Sequence, residues 1–273
     1  MPRRSRLDVE LVRRGLARSR EQAAELVVTG RVSVDGQLAA KPATAVAPNT
    51  AVRVQQPSDD PTYVSRGGHK LAGALDALGV DAPQITDRRC LDAGASTGGF
   101  TDVLLRRGAA QVIAVDVGYG QLAWSLRNDP RVRVIERTNV RTLTPDQVGE
   151  PLPTLVVADL SFISLRLVLP VLRECAADDA DQLLLVKPQF EVGRDAVGPG
   201  GVVRDPSLRA AAVHAVAAVA ALCGLGMKAV VASPLPGPAG NVEYFILLNA
   251  SAHSDGGQPD PDLVRRAIED GPQ

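Results

Sequence analysis

The chain has 273 residues, 45% of them hydrophobic and 22% charged, with a net charge of −1. This is the composition of a globular protein with enough chain for a full core and more than one domain, and it excludes a polycation. The charge is uneven: residues 1–55 carry ten Lys/Arg against five Asp/Glu, a surplus of +5, and the remainder carries −6. A basic leading segment on an acidic body predicts a module that binds a polyanion. Three cysteines, Cys90, Cys175 and Cys223, form no C-x-x-C pair, which argues against a disulfide scaffold or zinc cluster and fits a reducing cytoplasm.

The opening "MPRRSRLDVE" has no apolar run, so no signal peptide is expected. Residues 7–16 and 19–29 read as two short helices, the second capped by Ser19 with Gln22 three residues on. "RVSVDGQLA" alternates like a strand around a tight Asp35-Gly36 turn, and "AVRVQ" reads as a closing strand. The polar, proline-containing stretch 56–62 reads as a linker between a first domain, 1–55, and a second, 63–250.

From residue 88 strands and helices alternate. Strand-like runs fall at 89–93, 111–116, 132–136, 154–159, 182–187, 228–233 and 242–249. That rhythm predicts an α/β fold, a doubly wound, mainly parallel sheet of seven strands covered on both faces. Residues 210–227 carry no formally charged side chain and approach a membrane-spanning length. They are mostly alanine, include His214, follow an Asp205-Pro206 helix start and reach a Gly224 stop, so a core-facing helix is expected. Residues 251–273 read as a flexible tail.

The stretch "LDAGASTGGFTD", residues 91–102, is a strand start running into a glycine turn. It fails as a phosphate-binding loop, because Phe100 stands where the lysine belongs. It fails as a dinucleotide fingerprint too, because Ser96 replaces the second glycine, whose absent side chain lets backbone approach a pyrophosphate. S-adenosylmethionine has no phosphate and needs neither feature. It needs a glycine turn, supplied by Gly94, Ser96, Gly98, Gly99 and Phe100, and an acid at the next strand end for its ribose hydroxyls, supplied by Asp116. Asp92 is expected to hold the methionine ammonium through water or the turn.

These residues and five further blocks resemble the TlyA family, first named hemolysins and regarded as ribosomal RNA 2′-O-methyltransferases. "RLDVELVRRGLARSREQAAELVVTGRVSVDGQLAAKP" (6–42) resembles an S4 RNA-binding domain. "SRGGHKL" (65–71), "DAGASTGGFTD" (92–102), "ADLSFISL" (158–165), "VKPQFEVGR" (186–194) and "GPAGNVEYF" (237–245) match the catalytic domain in order. The resemblance to FtsJ-type enzymes implies a Lys-Asp-Lys-Glu catalytic set on Lys70, Asp159, Lys187 and Glu243, with Asp159 also toward the cofactor. It implies ribosomal RNA or ribosomal subunits as partner, with cytidines of both subunits as targets. In this set Lys187 is expected to act as base on a ribose 2′-hydroxyl, held extended by Pro188, with Lys70 as a second positive charge. Ser161 and Asn139 are expected at the pocket wall, and His69 and His214 are read as structural. Arg4, Arg6, Arg18 and Arg20 are the leading candidates for phosphate contact, no metal is required, and no membrane partner is expected. Two other readings compete: a membrane-active hemolysin, carried by the family's old name and the 210–227 segment, and a non-catalytic S4-type ribosome-binding protein.

Overall fold

The computed structural model describes residues 5–28, 31–34, 37–39, 41–47, 50–54, 63–254 and 261–271. Arg4, the Asp35-Gly36 turn and the 56–62 linker lie outside the described residues. The chain divides into two compact units, Met1–Thr62 and Tyr63–Gln273.

In the first unit two helices, Leu7–Arg13 and Arg20–Val28, pack over short strands. Strand β1 (Ser5–Arg6) pairs antiparallel with β4 (Ala45–Val46), and β2 (Val32–Val34) lies between β3 (Gln37–Leu38) and β5 (Val52–Val54). Leu7, Leu11, Ala23, Val27, Val32 and Val46 form its small core. Ser19 Oγ accepts from the Gln22 backbone N–H at 3.1 Å, as the cap motif predicts, but the Gln22 side chain reaches back to Arg18 N–H rather than to Ser19.

The second unit is built on a seven-stranded sheet of β6 (Arg89–Ala93), β7 (Gln111–Val115), β8 (Val132–Ile135), β9 (Leu155–Ala158), β10 (Asp181–Val186), β11 (Gly226–Ala232) and β12 (Tyr244–Asn249). Its order is β11-β12-β10-β9-β6-β7-β8, and β12 alone runs against the others. Every strand lies within two residues of its predicted run. The period-two alternation of side chains explains why both faces are apolar. Leu91, Ile113, Val156, Leu184 and Ile246 face one core; Cys90, Val112, Val157, Leu185 and Phe245 face the other. The helices Arg66–Leu78 and Gly99–Arg106 cover the second face.

Pro206–Leu222 covers the first face. Asp205 caps it by accepting from Ser207 N–H at 2.8 Å, Pro206 opens it, and Gly224 follows with φ 74°. Val213, Val216 and Ala220 are buried in the core. No helix among the described residues is long and apolar enough to cross a membrane. The tail departs from expectation. Pro261–Glu269 is a helix whose Val264, Ala267 and Ile268 are buried against the same core. Their i, i+3, i+4 spacing makes one apolar face, which needs a partner.

Candidate active site

Four neighbouring parallel strands end at one edge of the sheet, and the residue just past each end carries chemistry. In spatial order β10 is followed by Lys187, β9 by Asp159, β6 by Gly94 and β7 by Asp116. In doubly wound sheets ligands bind outside the carboxyl ends of the strands. Because β12 is antiparallel, its first residue pairs with the last of β10, so Glu243 just before it lies at this edge too.

The glycine turn is shaped by its neighbours. Gly94 has φ 87°, and a Cβ there would stand 2.6 Å from the Asp159 carbonyl oxygen. The turn thus presses against the start of the next loop, which only glycine permits. Ser96 has φ 48°, and its backbone N–H donates to Asp116 Oδ2 at 2.8 Å; Gly118 N–H donates to Asp116 Oδ1 at 2.7 Å. Each Asp116 oxygen keeps a further lone pair. Phe100 is buried against Phe245, with ring centroids 5.9 Å apart.

A cavity of about 240 Å³ opens beside the turn, lined by Gly94, Ser96, Gly99, Phe100, Lys70, Asp159, Ser161 and Lys187, together with Ser65, Gly67, Ala95, Thr97 and Pro238. A smaller recess lined by Ser96, Asp116, Gly118 and Glu136 adjoins it across Ser96. The five lining residues not anticipated, Ser65, Gly67, Ala95, Thr97 and Pro238, sit within the quoted blocks but have no ionisable group to mark them.

Each of the two lysines at the cavity wall is held in an ion pair. Lys187 Nζ is 2.7 Å from Asp159 Oδ1 and donates to Ser161 Oγ at 2.9 Å. Lys187 is extended, with φ −113° and ψ 100°, and caps the single turn Pro188–Glu191. Lys70 Nζ pairs with Glu243 Oε2 at 2.6 Å, and Gln189 donates to the other Glu243 oxygen at 3.4 Å. Glu243 is 0% exposed and does not line the cavity; it stands behind Lys70.

Asp92 and Gly98 lie outside the cavity lining. Asp92 lies fully buried under the turn, where one oxygen accepts from Thr101 Oγ1 at 2.6 Å and the other has no partner among the described residues. Burial pushes its carboxyl up to about 7, against the lowering effect of the Thr101 hydroxyl. Gly98, with φ 98°, caps the Gly99–Arg106 helix, and a Cβ there would meet Leu126 at 2.3 Å, so its missing side chain serves packing. Asn139 likewise caps a short helical turn by accepting from Arg141 N–H, and it is not a wall of the cavity. His69 stacks edge-on against Tyr63. Among the described residues no cluster of three or more His, Cys, Asp or Glu is placed to hold a metal.

The first unit carries its arginines on buried acids. Asp8 accepts from Arg6 at 2.9 Å and Arg20 at 3.2 Å, which leave 53% and 62% of those side chains exposed. The Arg6 hydrogen bonds hold the Asp8 carboxyl low, at about 2. Glu10 likewise grips Arg13 and Arg14. Arg18 is exposed.

Comparison with known proteins matches residues 63–250 to the FtsJ-like methyltransferase family and residues 5–52 to the S4 domain. The chain is 61% identical, over all 273 residues and the full length of both, to a Mycobacterium tuberculosis protein named 16S/23S rRNA (cytidine-2′-O)-methyltransferase TlyA. It is 36% identical over 242 residues, 88% of this chain and 98% of the other, to a Brachyspira hyodysenteriae protein named Hemolysin A. A solved structure from Streptococcus thermophilus that carries the name hemolysin superposes with a TM-score of 0.76 at 38% identity, covering 99% of this chain and 96% of that one.

Proposed function

Since the chain belongs to the TlyA family, with an S4 domain ahead of an FtsJ-like methyltransferase domain, we propose that it methylates ribose 2′-hydroxyls of ribosomal RNA, at cytidines of both subunits. The methyl donor in this reading is S-adenosylmethionine, and the setting is the cytoplasm. The observation that carries it is the contact of Lys187 with Asp159 and Ser161 at the wall of the cavity beside the glycine turn.

The residues present fit that cofactor. Gly94 gives close backbone approach, Asp116 has unused acceptor capacity for a vicinal diol, and Phe100 stands where a polyphosphate would need a cation. When bound, S-adenosylmethionine supplies an electrophilic methyl on a sulfonium centre. Asp116 then holds the ribose hydroxyls, Gly94, Ser96, Gly99 and Phe100 form the wall, and Asp159 places negative charge toward the sulfonium. Asp92 and Gly98 support the turn from beneath.

A ribose hydroxyl attacks well only as its proton leaves. A neutral lysine amine has two N–H bonds and one lone pair. The two bonds match Asp159 Oδ1 and Ser161 Oγ, which leaves the lone pair for the proton of the 2′-hydroxyl. Lys70, fixed by Glu243, contributes a second positive charge at the cavity wall, where it favours the developing alkoxide. Phe162, one residue past Ser161 and 91% exposed, lies beside Phe190 at 5.4 Å and offers an aromatic surface suited to an unstacked base. The basic first unit supplies phosphate contacts through Arg6, Arg18 and Arg20, and Arg4 joins them by sequence.

The test is to incubate ribosomal subunits, and separately naked ribosomal RNA, with the protein and labelled S-adenosylmethionine, then map blocked 2′-hydroxyls. The reading expects label on cytidine 2′-oxygens. Label on a base, or none on either substrate, overturns it.

A further inference from the structure

Asp159 and Ser161 lie on the loop after β9, and Lys187 begins the turn after β10. Glu191 ties these segments together. It is 5% exposed and does not line the cavity. Its Oε1 accepts from Leu165 N–H at 2.7 Å, and its Oε2 accepts from Ser164 Oγ at 2.6 Å and Arg166 Nε at 3.2 Å. Its backbone carbonyl accepts from a second Arg166 nitrogen at 3.0 Å.

Burying a carboxylate is costly, and apolar packing joins two loops as well or better. What a fully satisfied polar network adds is one defined register between the parts it joins. The loop it anchors needs such definition. Between Asp159, held by Lys187, and Ser164, held by Glu191, the chain passes through Phe162 at φ 62°. A non-glycine residue there is strained and persists only when its surroundings over-determine it. Ser161, whose hydroxyl accepts from Lys187, is the residue just before it.

We propose that Glu191 is a positioning residue for methyl transfer: by holding Ser164 and Leu165 it fixes the Ser161 loop, and through Ser161 it aims the Lys187 amine. The inference rests on the role given to Lys187 above.

The experiment uses the full chain as wild type, Glu191→Ala, Glu191→Gln, Ser161→Ala and the Glu191→Ala/Ser161→Ala double variant. It measures single-turnover transfer to ribosomal subunits at saturating S-adenosylmethionine, cofactor affinity by calorimetry, and amide exchange over residues 160–165. Glu191→Ala is expected to slow transfer about tenfold or more, since small misplacements of reacting groups are expensive. Cofactor affinity should hold within about twofold while exchange in 160–165 accelerates. The double variant should be no more than about twofold slower than the slower single one, because both act on one contact. Glu191→Gln keeps an acceptor for Leu165 N–H and should return to within about threefold of wild type.

A wild-type rate in Glu191→Ala, losses that multiply with Ser161→Ala, or a rate loss matched by an equal loss of cofactor affinity would each overturn the proposal. If Glu191→Ala does not fold, Ser164→Ala removes the Ser164 bond to Glu191, and with it two that Ser164 accepts from Arg166, and should show the same pattern at a few-fold size; an unchanged rate and exchange there would overturn it as well. An inactive wild type defeats the functional reading itself, whereas an active wild type with an indifferent Glu191 defeats only this inference.

Discussion

The sheet edge is built from two kinds of material. At β6 and β7 it is backbone: a glycine turn, left-handed Ser96, and an Asp116 whose oxygens each receive a main-chain N–H. At β9, β10 and β12 it is side chains in pairs, Lys187 with Asp159 and Lys70 with Glu243, the second joining residues 173 positions apart. A backbone site can tolerate change in most of its side chains and loses affinity when its one acceptor goes. On the proposed mechanism a site of paired side chains loses rate, because the paired groups act on a proton in flight. Cofactor binding and chemistry should therefore separate by mutation.

The largest separation is expected at Lys187. Lys187→Ala should cut single-turnover methyl transfer by roughly a hundred- to ten-thousandfold, the range for removal of a general base, while cofactor affinity survives. Parallel calorimetry and transfer assays check it, and a comparable loss in both would erase the distinction between the two halves. Asp116→Ala should do the reverse. Each ribose hydrogen bond lost is worth about 1.5–3 kcal/mol of cofactor affinity, with RNA affinity unchanged. Unaltered cofactor affinity would remove Asp116 from the site.

Asp92 sharpens the comparison from beneath the turn. Its folded carboxyl, at about 7, lies above its ordinary value of 3.8. The folded chain therefore holds a proton that the unfolded chain has released, so the contribution to stability is full below about pH 4 and is lost as pH rises through 7. Asp92→Asn keeps an acceptor for Thr101 without the charge. It should flatten that fall and stabilise the protein above pH 7 by at most about 4 kcal/mol. Denaturant melts across pH would measure it, and an Asn variant that loses stability equally at every pH would contradict it. The smallest effects belong to the first unit. Alanine at Arg6, Arg18 or Arg20 should each weaken RNA binding modestly and reduce the salt slope by about one, leaving cofactor affinity alone. Titrations at several salt concentrations test this, and a slope unchanged by any of the three would contradict the phosphate-contact role.

Much of this was legible because strand ends leave marks. Asp116, Asp159 and Lys187 each stop an apolar run, and each lies one residue past its strand. Asp92 looked equivalent but is the penultimate residue inside β6, so its side chain turns into the sheet face under Thr101. One residue of register decides between cavity and core. A glycine needed for packing, such as Gly98, reads like one needed for a ligand. Glu191 could not be read, since its partners stand 25 to 27 positions away and acquire meaning only when two loops meet. The tail helix was readable in principle from Val264, Ala267 and Ile268, but its polar setting concealed a nine-residue element.

The account turns on Lys187 taking a proton, and Lys187→Arg tests that most directly. A guanidinium can keep the charge and the contact to Asp159 but stays protonated and cannot accept. Single-turnover transfer to ribosomal subunits is followed across pH at saturating cofactor in the wild type, Lys187→Ala and Lys187→Arg. It should stay near the Lys187→Ala level at every pH in the arginine variant. An arginine enzyme that transfers methyl groups at the wild-type rate would contradict the account and move the base to Lys70 or to water.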